Sequence, residues 1–327
     1  MTILVTGGAG YIGSHMVFGL LDRGVPVVVL DNLATGFRSA VPASVPFVEG
    51  DVGDADLVSR LIETHKVDEV IHFAASSVVP ESMEQPAAYY TNNTARSLAL
   101  IDVASRSGVR RFVFSSTAAV YGNPAQSPVA ETALPQPMSP YGTSKWMTEL
   151  VLRDVAAVRG MHHVALRYFN VAGADPAPRC GQSTPAATHL IKAAVQAVLG
   201  TRDGLDIYGT DYPTPDGTCV RDYIHVTDLV GAHFSALEYL RGGGASTTLN
   251  CGYGRGYSVR EVVDAVKRVS GVDFPVRLAG RRPGDPATIV ADTARLRRDL
   301  NWTPAYDDLD TIVAHALAWE RRLFEMR

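Results

Sequence analysis

Three glycines, Gly7, Gly10 and Gly13, stand three residues apart near the amino end of the chain. The run ILVTG at 3–7 predicts a strand just before them, and the amphipathic residues 11–23 predict a helix. Glycines let the backbone turn tightly and approach a pyrophosphate, whose charge is favourable at a helix amino terminus. The segment TGGAGYIGSH at 6–15 therefore predicts a strand, loop and helix that bind a dinucleotide.

Further apolar runs follow at a spacing that leaves room for a helix between neighbours. They are PVVVLD at 26–31, PFVEGD at 46–51, EVIHFAA at 69–75, RFVFSS at 111–116 and VALRYFN at 164–170. Helices are predicted between them at 54–65, 86–107 and 141–159. This alternation predicts an α/β fold with a doubly wound parallel sheet of the Rossmann type, covered by helices on both faces.

Two acidic residues end predicted strands where a dinucleotide would lie. Asp31 closes the second strand, 18 residues after Gly13, so its carboxylate can bind the adenosine ribose hydroxyls. Its charge would repel a 2′-phosphate and so favours NAD over NADP. Asp51 closes the third strand, where it either binds the adenine amino group or only terminates the strand.

The length of 327 residues and a change in the sequence pattern after residue 170 predict two domains. Residues 1–170 are predicted to form the NAD-binding Rossmann domain. Residues 171–327, in which prolines interrupt helices and short strands, are predicted to form a smaller mixed α/β substrate domain. Some of their segments are free to return to the first domain.

Charge and cysteine content exclude several classes. A net charge of −4 gives no broad field for nucleic acid or an anionic membrane. The three cysteines, Cys180, Cys219 and Cys251, match neither a zinc pattern nor a disulfide framework, which favours a reducing cytoplasm and predicts no metal. We expect no signal segment and no membrane span, since no apolar run reaches about 18 residues.

The run SPYGTSKWMTE at 139–149 places Tyr141 four residues before Lys145 on one helical face. An ordinary tyrosine has a pKa near 10, so about one in a thousand is ionised at neutral pH. A nearby ammonium and the positive ring of NAD favour the phenolate, which makes Tyr141 a candidate general base. Thr117, after the fifth strand, offers a hydroxyl to relay the proton.

This combination resembles the extended short-chain dehydrogenase/reductase family, and further segments are similar to its UDP-sugar epimerases. They are DNLATG at 31–36, GDVGD at 50–54, HFAA at 72–75, LRYFNVAGADP at 166–176, YGTDYPTPDGTCVRDYIHVTDL at 208–229 and RRPGD at 281–285. The resemblance implies NAD as cofactor, a UDP-sugar as substrate and a homodimer paired through the helices at 86–107 and 141–159. Leu98, Ile101, Leu150 and Val151 lie in these helices, although core packing is their default explanation.

The resemblance also implies roles for individual residues. The implied catalytic residues are Thr117, Tyr141 and Lys145. The implied cofactor-binding residues are Gly7, Gly10, Tyr11, Ile12, Gly13, Asp31, Asn32, Thr35, Gly36, Asp51, Val52, Phe73, Ala74, Ala75, Asn93, Ser115, Tyr141, Lys145 and Phe169. The implied substrate-binding residues are Thr117, Tyr141, Asn170, Leu190, Ile207, Tyr208, Arg221, Arg282 and Asp285. Ile207 and Tyr208 would flank uracil, and the two arginines would grip the diphosphate.

The reaction implied is inversion at C4 of a UDP-hexose, UDP-glucose or UDP-galactose, through a transient 4-keto sugar. A dehydratase would need an acidic pair where Ala118 and Ala119 stand. A reductase would need exchangeable NADPH, which Asp31 disfavours. A non-catalytic NAD-binding sensor is the alternative of a different class, although it would have no use for a proton relay.

Four positions depart from the pattern of these epimerases. Thr117 replaces a serine, Ser77 a lysine and His189 an asparagine, and Ile289 is intermediate in size where the family has a bulky or a small residue. The choice among hexose, N-acetylhexosamine and pentose therefore stays open. His72 and His225, in apolar strand-like runs, are interpreted as packed structural histidines.

Overall fold

The computed structural model describes residues 2–184, 188–282 and 284–326. Its strands are β1 (Thr2–Thr6), β2 (Val27–Asp31), β3 (Phe47–Glu49), β4 (Val67–His72), β5 (Arg111–Thr117), β6 (His162–Tyr168), β7 (Asn170–Ala172), β8 (Leu205–Tyr208), β9 (Val220–His225), β10 (Thr247–Cys251), β11 (Gly256–Ser258), β12 (Val276–Ala279) and β13 (Thr288–Ile289). Its helices are α1 (Tyr11–Asp22), α2 (Ala55–His65), α3 (Val79–Glu84), α4 (Pro86–Tyr89), α5 (Arg96–Arg106), α6 (Pro140–Arg159), α7 (Leu190–Val198), α8 (Val226–Arg241), α9 (Val259–Ser270), α10 (Ala294–Leu300) and α11 (Leu309–Glu325).

Within these residues, seven parallel strands form the central sheet in the order β10-β6-β5-β4-β1-β2-β3. Side chains of a strand point alternately to the two faces, so each face buries its own apolar set. Ile3 and Val5 of β1 belong to the core on one side, together with α1 and α8. Leu4 of the same strand belongs to the core on the other side, together with α2 and α5. The predicted doubly wound parallel fold is confirmed.

The helix that carries Tyr141 and Lys145 has strong start and stop signals. Ser139 caps α6 by accepting a hydrogen bond from the Gly142 N–H at 3.2 Å, and Pro140 occupies the first turn. Gly160 ends the helix with φ of +68°, a conformation that glycine adopts without strain. These signals hold the catalytic candidates on the first two turns of a long helix.

The helix predicted at 86–107 is not uniform. A π-helical segment, Tyr90–Ala95, joins α4 to α5. Asn93 lies buried in this segment, and its side chain accepts from the Ser76 N–H at 2.8 Å and donates to the Ser76 carbonyl at 2.9 Å. The π-helical segment thus holds the chain that follows β4, a feature that apolar periodicity does not reveal.

The second half builds two small sheets and also returns to the first. β9 pairs with β7, β11 and β13, and β8 pairs with β12. β10 lies beside β6 at the edge of the central sheet. The carboxyl ends of β6 and β10 are therefore neighbours of β7 and β9, which brings the two halves together where the sheet ends. Of the helices described, none combines the length and the hydropathy needed to span a membrane.

Candidate active site

The glycine-rich loop between β1 and α1 has no room for side chains. Gly7 has φ of +70°, and a Cβ there would lie 2.6 Å from the backbone nitrogen of Ala74. A Cβ on Gly13 would lie 2.1 Å from the Gly7 carbonyl oxygen, whereas one on Gly10 would lie 3.2 Å from it. Among the described residues, no side chain caps the amino end of α1. A close backbone turn before an uncapped helix end fits the pyrophosphate of a dinucleotide.

Tyr11 and Ile12, the first residues of α1, are partly accessible. The Tyr11 hydroxyl donates to the carbonyl oxygen of Gly173 at 2.7 Å. The first turn of the loop helix is therefore tied to the segment that follows β7, so the cofactor loop and the second half meet through this bond.

Asp31 is buried at the end of β2, directly beside the glycine-rich loop. Its Oδ2 accepts from the Ala9 N–H at 2.9 Å, and its Oδ1 accepts from the Leu33 N–H at 2.8 Å. Each carboxylate oxygen can accept more than one hydrogen bond, so Asp31 keeps the capacity to bind ribose hydroxyls. Asn32 and Thr35 are exposed next to it, and a Cβ on Gly36 would lie 2.8 Å from the Ala9 backbone.

Asp51 has partners of its own. Its Oδ1 accepts from the Gly53 N–H at 2.7 Å, and its Oδ2 lies 3.0 Å from an Arg96 nitrogen. Val52 is buried. The carboxylate shapes the turn after β3, and this local role accounts for its position whether or not it also meets adenine.

The chain that follows β4 borders the same edge of the sheet. Phe73, Ala74 and Ala75 are each partly accessible there, and Phe73 packs against His233 with ring centroids 4.9 Å apart. Phe169, which follows β6, is buried. These residues form a continuous border beside the glycine-rich loop.

Thr117, Tyr141 and Lys145 are assembled between the end of β5 and the start of α6. The hydroxyls of Thr117 and Tyr141 are hydrogen-bonded to each other. Lys145 donates from Nζ to the Ser115 carbonyl oxygen at 2.7 Å, and its ammonium lies 4.8 Å from the centroid of the Phe114 ring. The structure therefore brings together the three residues that sequence analysis predicted as catalytic.

The protein alone does not make Tyr141 acidic. Protein atoms surround the hydroxyl group, although part of the residue remains accessible, and this burial raises the pKa of Tyr141. The hydrogen bond from Thr117 opposes that effect. Burial also lowers the pKa of Lys145 to about 7, while the negative charge of Glu149 raises it. In the protein alone, desolvation acts on both groups and disfavours both charges. That Lys145 and the positive ring of bound NAD together lower the phenol pKa stays a prediction.

The substrate candidates of the second half lie around β8, β9 and the segment before β13. Arg221 and Asp285 approach each other, with Nη2 and Oδ1 3.6 Å apart. The exposed Arg282 lies over the Tyr208 ring, 3.7 Å from its centroid. Ile207 is buried in the core, so its side chain is not free to flank a base and only its backbone remains available.

Asn170 and Leu190 line one small cavity, together with His189 and Gly173. Asn170 begins β7, and Leu190 begins α7. His189 is exposed and hydrogen-bonds Gln182 through Nδ1 at 2.7 Å. The structure therefore brings this pair of predicted substrate residues together at one cavity.

Asp222, next to Arg221, is a site residue that sequence analysis did not single out. It is fully buried and accepts from the N–H groups of Tyr253 at 2.9 Å, Gly254 at 2.9 Å and Ala291 at 3.2 Å. Burial raises the pKa of Asp222 to about 6, against these three hydrogen bonds. Asp222 thus anchors the strand that presents Arg221, and a single acidic residue within an apolar run was the only signal for it.

The two conspicuous histidines are buried, as predicted. His72 hydrogen-bonds Thr6 through Nδ1 at 2.6 Å and Ser97 through Nε2 at 2.8 Å. His225 accepts from the Thr227 N–H at 3.0 Å and contacts His315 at 2.9 Å. Burial lowers the pKa of each to about 3, so both stay neutral near pH 7.

The family model described as the NAD dependent epimerase/dehydratase family matches residues 3–252. A UDP-glucose 4-epimerase of Azospirillum brasilense is 59% identical over 321 residues, which cover 98% of this chain and 92% of that protein. The crystal structure of UDP-glucose 4-epimerase from Brucella ovis in complex with NAD has a TM-score of 0.94 at 44% identity and covers 97% of both chains. The enzyme from Stenotrophomonas maltophila with bound NAD and formylated UDP-arabinopyranose has a TM-score of 0.96 at 39% identity and covers 100% of both.

Proposed function

The chain belongs to the NAD dependent epimerase/dehydratase family, and from this premise we propose that it inverts C4 of a UDP-hexose, interconverting UDP-glucose and UDP-galactose. The main observation in support of this proposal is that Thr117, Tyr141 and Lys145 lie together at the end of β5. Near-complete matches to UDP-glucose 4-epimerases support the substrate class.

The residues present fit NAD. Gly7, Gly10 and Gly13 would hold the pyrophosphate, and Asp31 would hold the adenosine ribose, because the loop excludes a Cβ and the carboxylate borders it. When bound, NAD supplies the hydride acceptor for C4 and a positive ring charge near Tyr141. Lys145, held against Ser115, would bind the nicotinamide ribose.

For the remaining cofactor-site residues we propose the positions that the resemblance implies. Beside the loop and the adenosine these are Tyr11, Ile12, Asn32, Thr35, Gly36, Asp51 and Val52. Along the nicotinamide side these are Phe73, Ala74, Ala75, Asn93, Ser115 and Phe169. Asp51 and Asn93 also have the local structural bonds described above, which would hold their surroundings in shape for the cofactor.

Tyr141 accepts the proton of the sugar 4-hydroxyl as the ketone forms and returns it as the inverted alcohol forms. Thr117 holds the reacting oxygen and the phenol in register through its hydroxyl. Tyr141 thus serves first as the base and then as the acid, so the complete cycle neither releases nor consumes a proton. Ala118 and Ala119 carry no group that eliminates water, which disfavours dehydration.

Inversion requires that the keto sugar present its other face while the nucleotide stays bound. Arg221 and Arg282 would hold the diphosphate, since their forks match phosphate oxygens. Tyr208 and the Ile207 backbone would border uracil, and Asp285 would meet the uridine ribose. Asn170 and Leu190 would line the sugar side. A substrate anchored at one end is free to turn at the other.

We propose that the two halves of the chain bind different molecules. Residues 1–170 would form the NAD-binding domain, and 171–327 would form the UDP-sugar-binding domain, with β10 as the segment that returns to the first sheet. The reacting groups come from the first part and the anchoring arginines from the second.

The protein is proposed to be a cytoplasmic homodimer. Leu98 of α5 and Met147 of α6 are exposed, whereas Ile101 lies in the core and cannot join an interface. Three buried cysteines without disulfides suit a reducing compartment. Light scattering tests the mass, and Leu98→Glu together with Met147→Glu should yield monomers if these helices pair.

The function is tested by incubating the purified protein with UDP-galactose and following UDP-glucose by NMR. Parallel reactions with UDP-N-acetylglucosamine and UDP-xylose decide the sugar class. Ile289 is buried beside Phe169 and Ala291, and Ile289→Ala tests whether its size excludes an N-acetyl group. A protein that retains NAD yet interconverts none of these sugars would be a sensor instead of an epimerase.

A further inference from the structure

Glu149 lies one turn beyond Lys145 on α6 and is buried. Its Oε1 and Oε2 accept from Nε and Nη2 of Arg167 at 3.0 and 2.6 Å, and Oε1 also accepts from the Ser116 hydroxyl. A buried carboxylate with this many donors is held in one position.

The same network reaches the turn that follows β5. Arg167 donates through Nη1 to the Tyr121 hydroxyl at 2.9 Å, and Tyr121 donates to Oδ1 of Asn250 at 2.6 Å. Arg167 on β6 thereby connects α6 to the chain just beyond Thr117. The buried ion pair joins α6 to β6, and the hydrogen bonds of Ser116 and Tyr121 connect it to β5 and to the turn that follows β5.

Ser116 places this network next to the reaction. Its neighbour Ser115 offers the carbonyl that binds Lys145, and its other neighbour, Thr117, is hydrogen-bonded to Tyr141. The hydrogen bond from Ser116 to Glu149 therefore fixes the strand between two contacts that the catalytic groups use.

The surroundings of Lys145 contain few charges. Glu149 acts on it from α6, neutral His72 from β4, and the Phe114 ring with the Ser115 carbonyl from β5. Arg167 on β6 pairs with Glu149 at 2.6 Å. Glu149 is thus the carboxylate whose charge acts on Lys145 within the described part of the chain.

We propose that Glu149 is a positioning residue for the reaction, because its carboxylate, held by Arg167 and Ser116, keeps the buried Lys145 side chain charged. The proposal rests on the function proposed above, in which Lys145 binds the nicotinamide ribose. Arg167 orients the carboxylate through two hydrogen bonds from its guanidinium.

The chain contains only four lysines, Lys66, Lys145, Lys192 and Lys267, which allows a direct test. Protein labelled with ¹³Cε-lysine gives four resonances, and Lys145→Arg identifies that of Lys145. In the purified protein, Glu149→Gln should lower the titration midpoint of Lys145 by about one pH unit, because an opposite charge is lost. Glu149→Asp, which keeps the charge, should hold the midpoint close to the wild-type value.

In Glu149→Gln, the alkaline limb of the pH profile of kcat/KM should move to lower pH by the same amount. A merely structural defect would not shift the pH of this limb. Glu320→Gln is the matched control, since Glu320 pairs with buried Lys192 on α7 and should leave the Lys145 signal in place. If Glu149→Gln does not fold, Glu149→Gln with Arg167→Met leaves no unpaired buried charge and should also lower the Lys145 midpoint, by less than the single variant because a like charge is lost as well.

An unchanged Lys145 midpoint in Glu149→Gln or in the double variant overturns the proposal, as does an equal fall in Glu149→Asp. If wild-type protein converts no UDP-sugar, the proposed function is refuted, while the lysine titration still decides whether Glu149 governs the charge of Lys145.

Discussion

The proposed reacting groups and Arg282, one of the two proposed anchors, are built in opposite ways. Lys145 is 3% exposed and is held by a backbone carbonyl, and Thr117 is 8% exposed. Arg282 is exposed and rests on the ring of Tyr208. Burial shifts the pKa of a lysine or a phenol, whereas arginine stays charged in either environment. The proposed proton transfer therefore depends on the interior, while an arginine that anchors a diphosphate can stand at the surface, as Arg282 does.

The largest effect should come from the interior. Tyr141→Phe removes the proton acceptor and should lower kcat about 1,000-fold, within the usual contribution of a general base. Steady-state turnover of UDP-galactose measures it, with bound NAD and circular dichroism expected to match wild type. Turnover within tenfold of wild type would show that Tyr141 is not the base.

The glycine-rich loop offers the next test, since its packing is as tight as that of the reacting groups. Gly13→Ala places a Cβ 2.1 Å from the Gly7 carbonyl oxygen, and the backbone must shift. We expect the free energy of unfolding, measured in urea without cofactor, to fall by about 3 kcal/mol. Gly10→Ala, with its Cβ 3.2 Å from that oxygen and an extended backbone, should change it by less than about 1 kcal/mol. Equal losses would mean that the loop relaxes freely.

The two arginines should differ from each other. Arg221 is mostly buried, its side chain 12% exposed, and it faces Asp285, so Arg221→Met should raise KM about thirtyfold, as expected for lost charged hydrogen bonds. Arg282 is exposed, and Arg282→Met should raise KM only about threefold. In both variants kcat should change little, because neither residue touches the reacting carbon. A larger effect at Arg282 would show that the surface arginine becomes buried around the substrate.

The contrast also explains what the sequence could predict. Local patterns carry the first half: the glycine spacing, the alternation of strands and helices, and the capped helix of Tyr141 all correspond to the structure. They do so because each depends on residues close together in the chain. The bond from Asp31 to Ala9 and the contact of Tyr11 with Gly173 join distant segments, and no local pattern contains them.

The second half was predictable only by resemblance, and the placement of its side chains was not predictable from local patterns. Ile207 was expected to flank uracil, but alternation along β8 directs its side chain into the core. Asp222 was not singled out from the sequence, yet it is buried and its carboxylate accepts hydrogen bonds from three backbone N–H groups. The ion pair of Glu149 and Arg167 joins a helix to a strand 18 residues away, so it appears only when the elements are packed.

The smallest expected effect is a change in how the free energy of unfolding depends on pH, and it comes from the buried His72. Burial, with the charge of Lys145, lowers the pKa of His72 to about 3, whereas an unfolded histidine titrates near 6.5. His72 therefore contributes stability that is present above pH 6.5 and lost as the pH falls toward 3, by at most about 1.4 kcal/mol per pH unit. His72→Gln should lower the unfolding free energy at pH 7.5 but make its fall between pH 6.5 and 5 shallower.

His162→Gln, at the exposed start of β6, is the control and should leave both values near wild type, since it removes only a surface side chain. Urea unfolding at several pH values measures the slope, and an unchanged slope in His72→Gln would mean that the central sheet opens to water before this histidine is protonated.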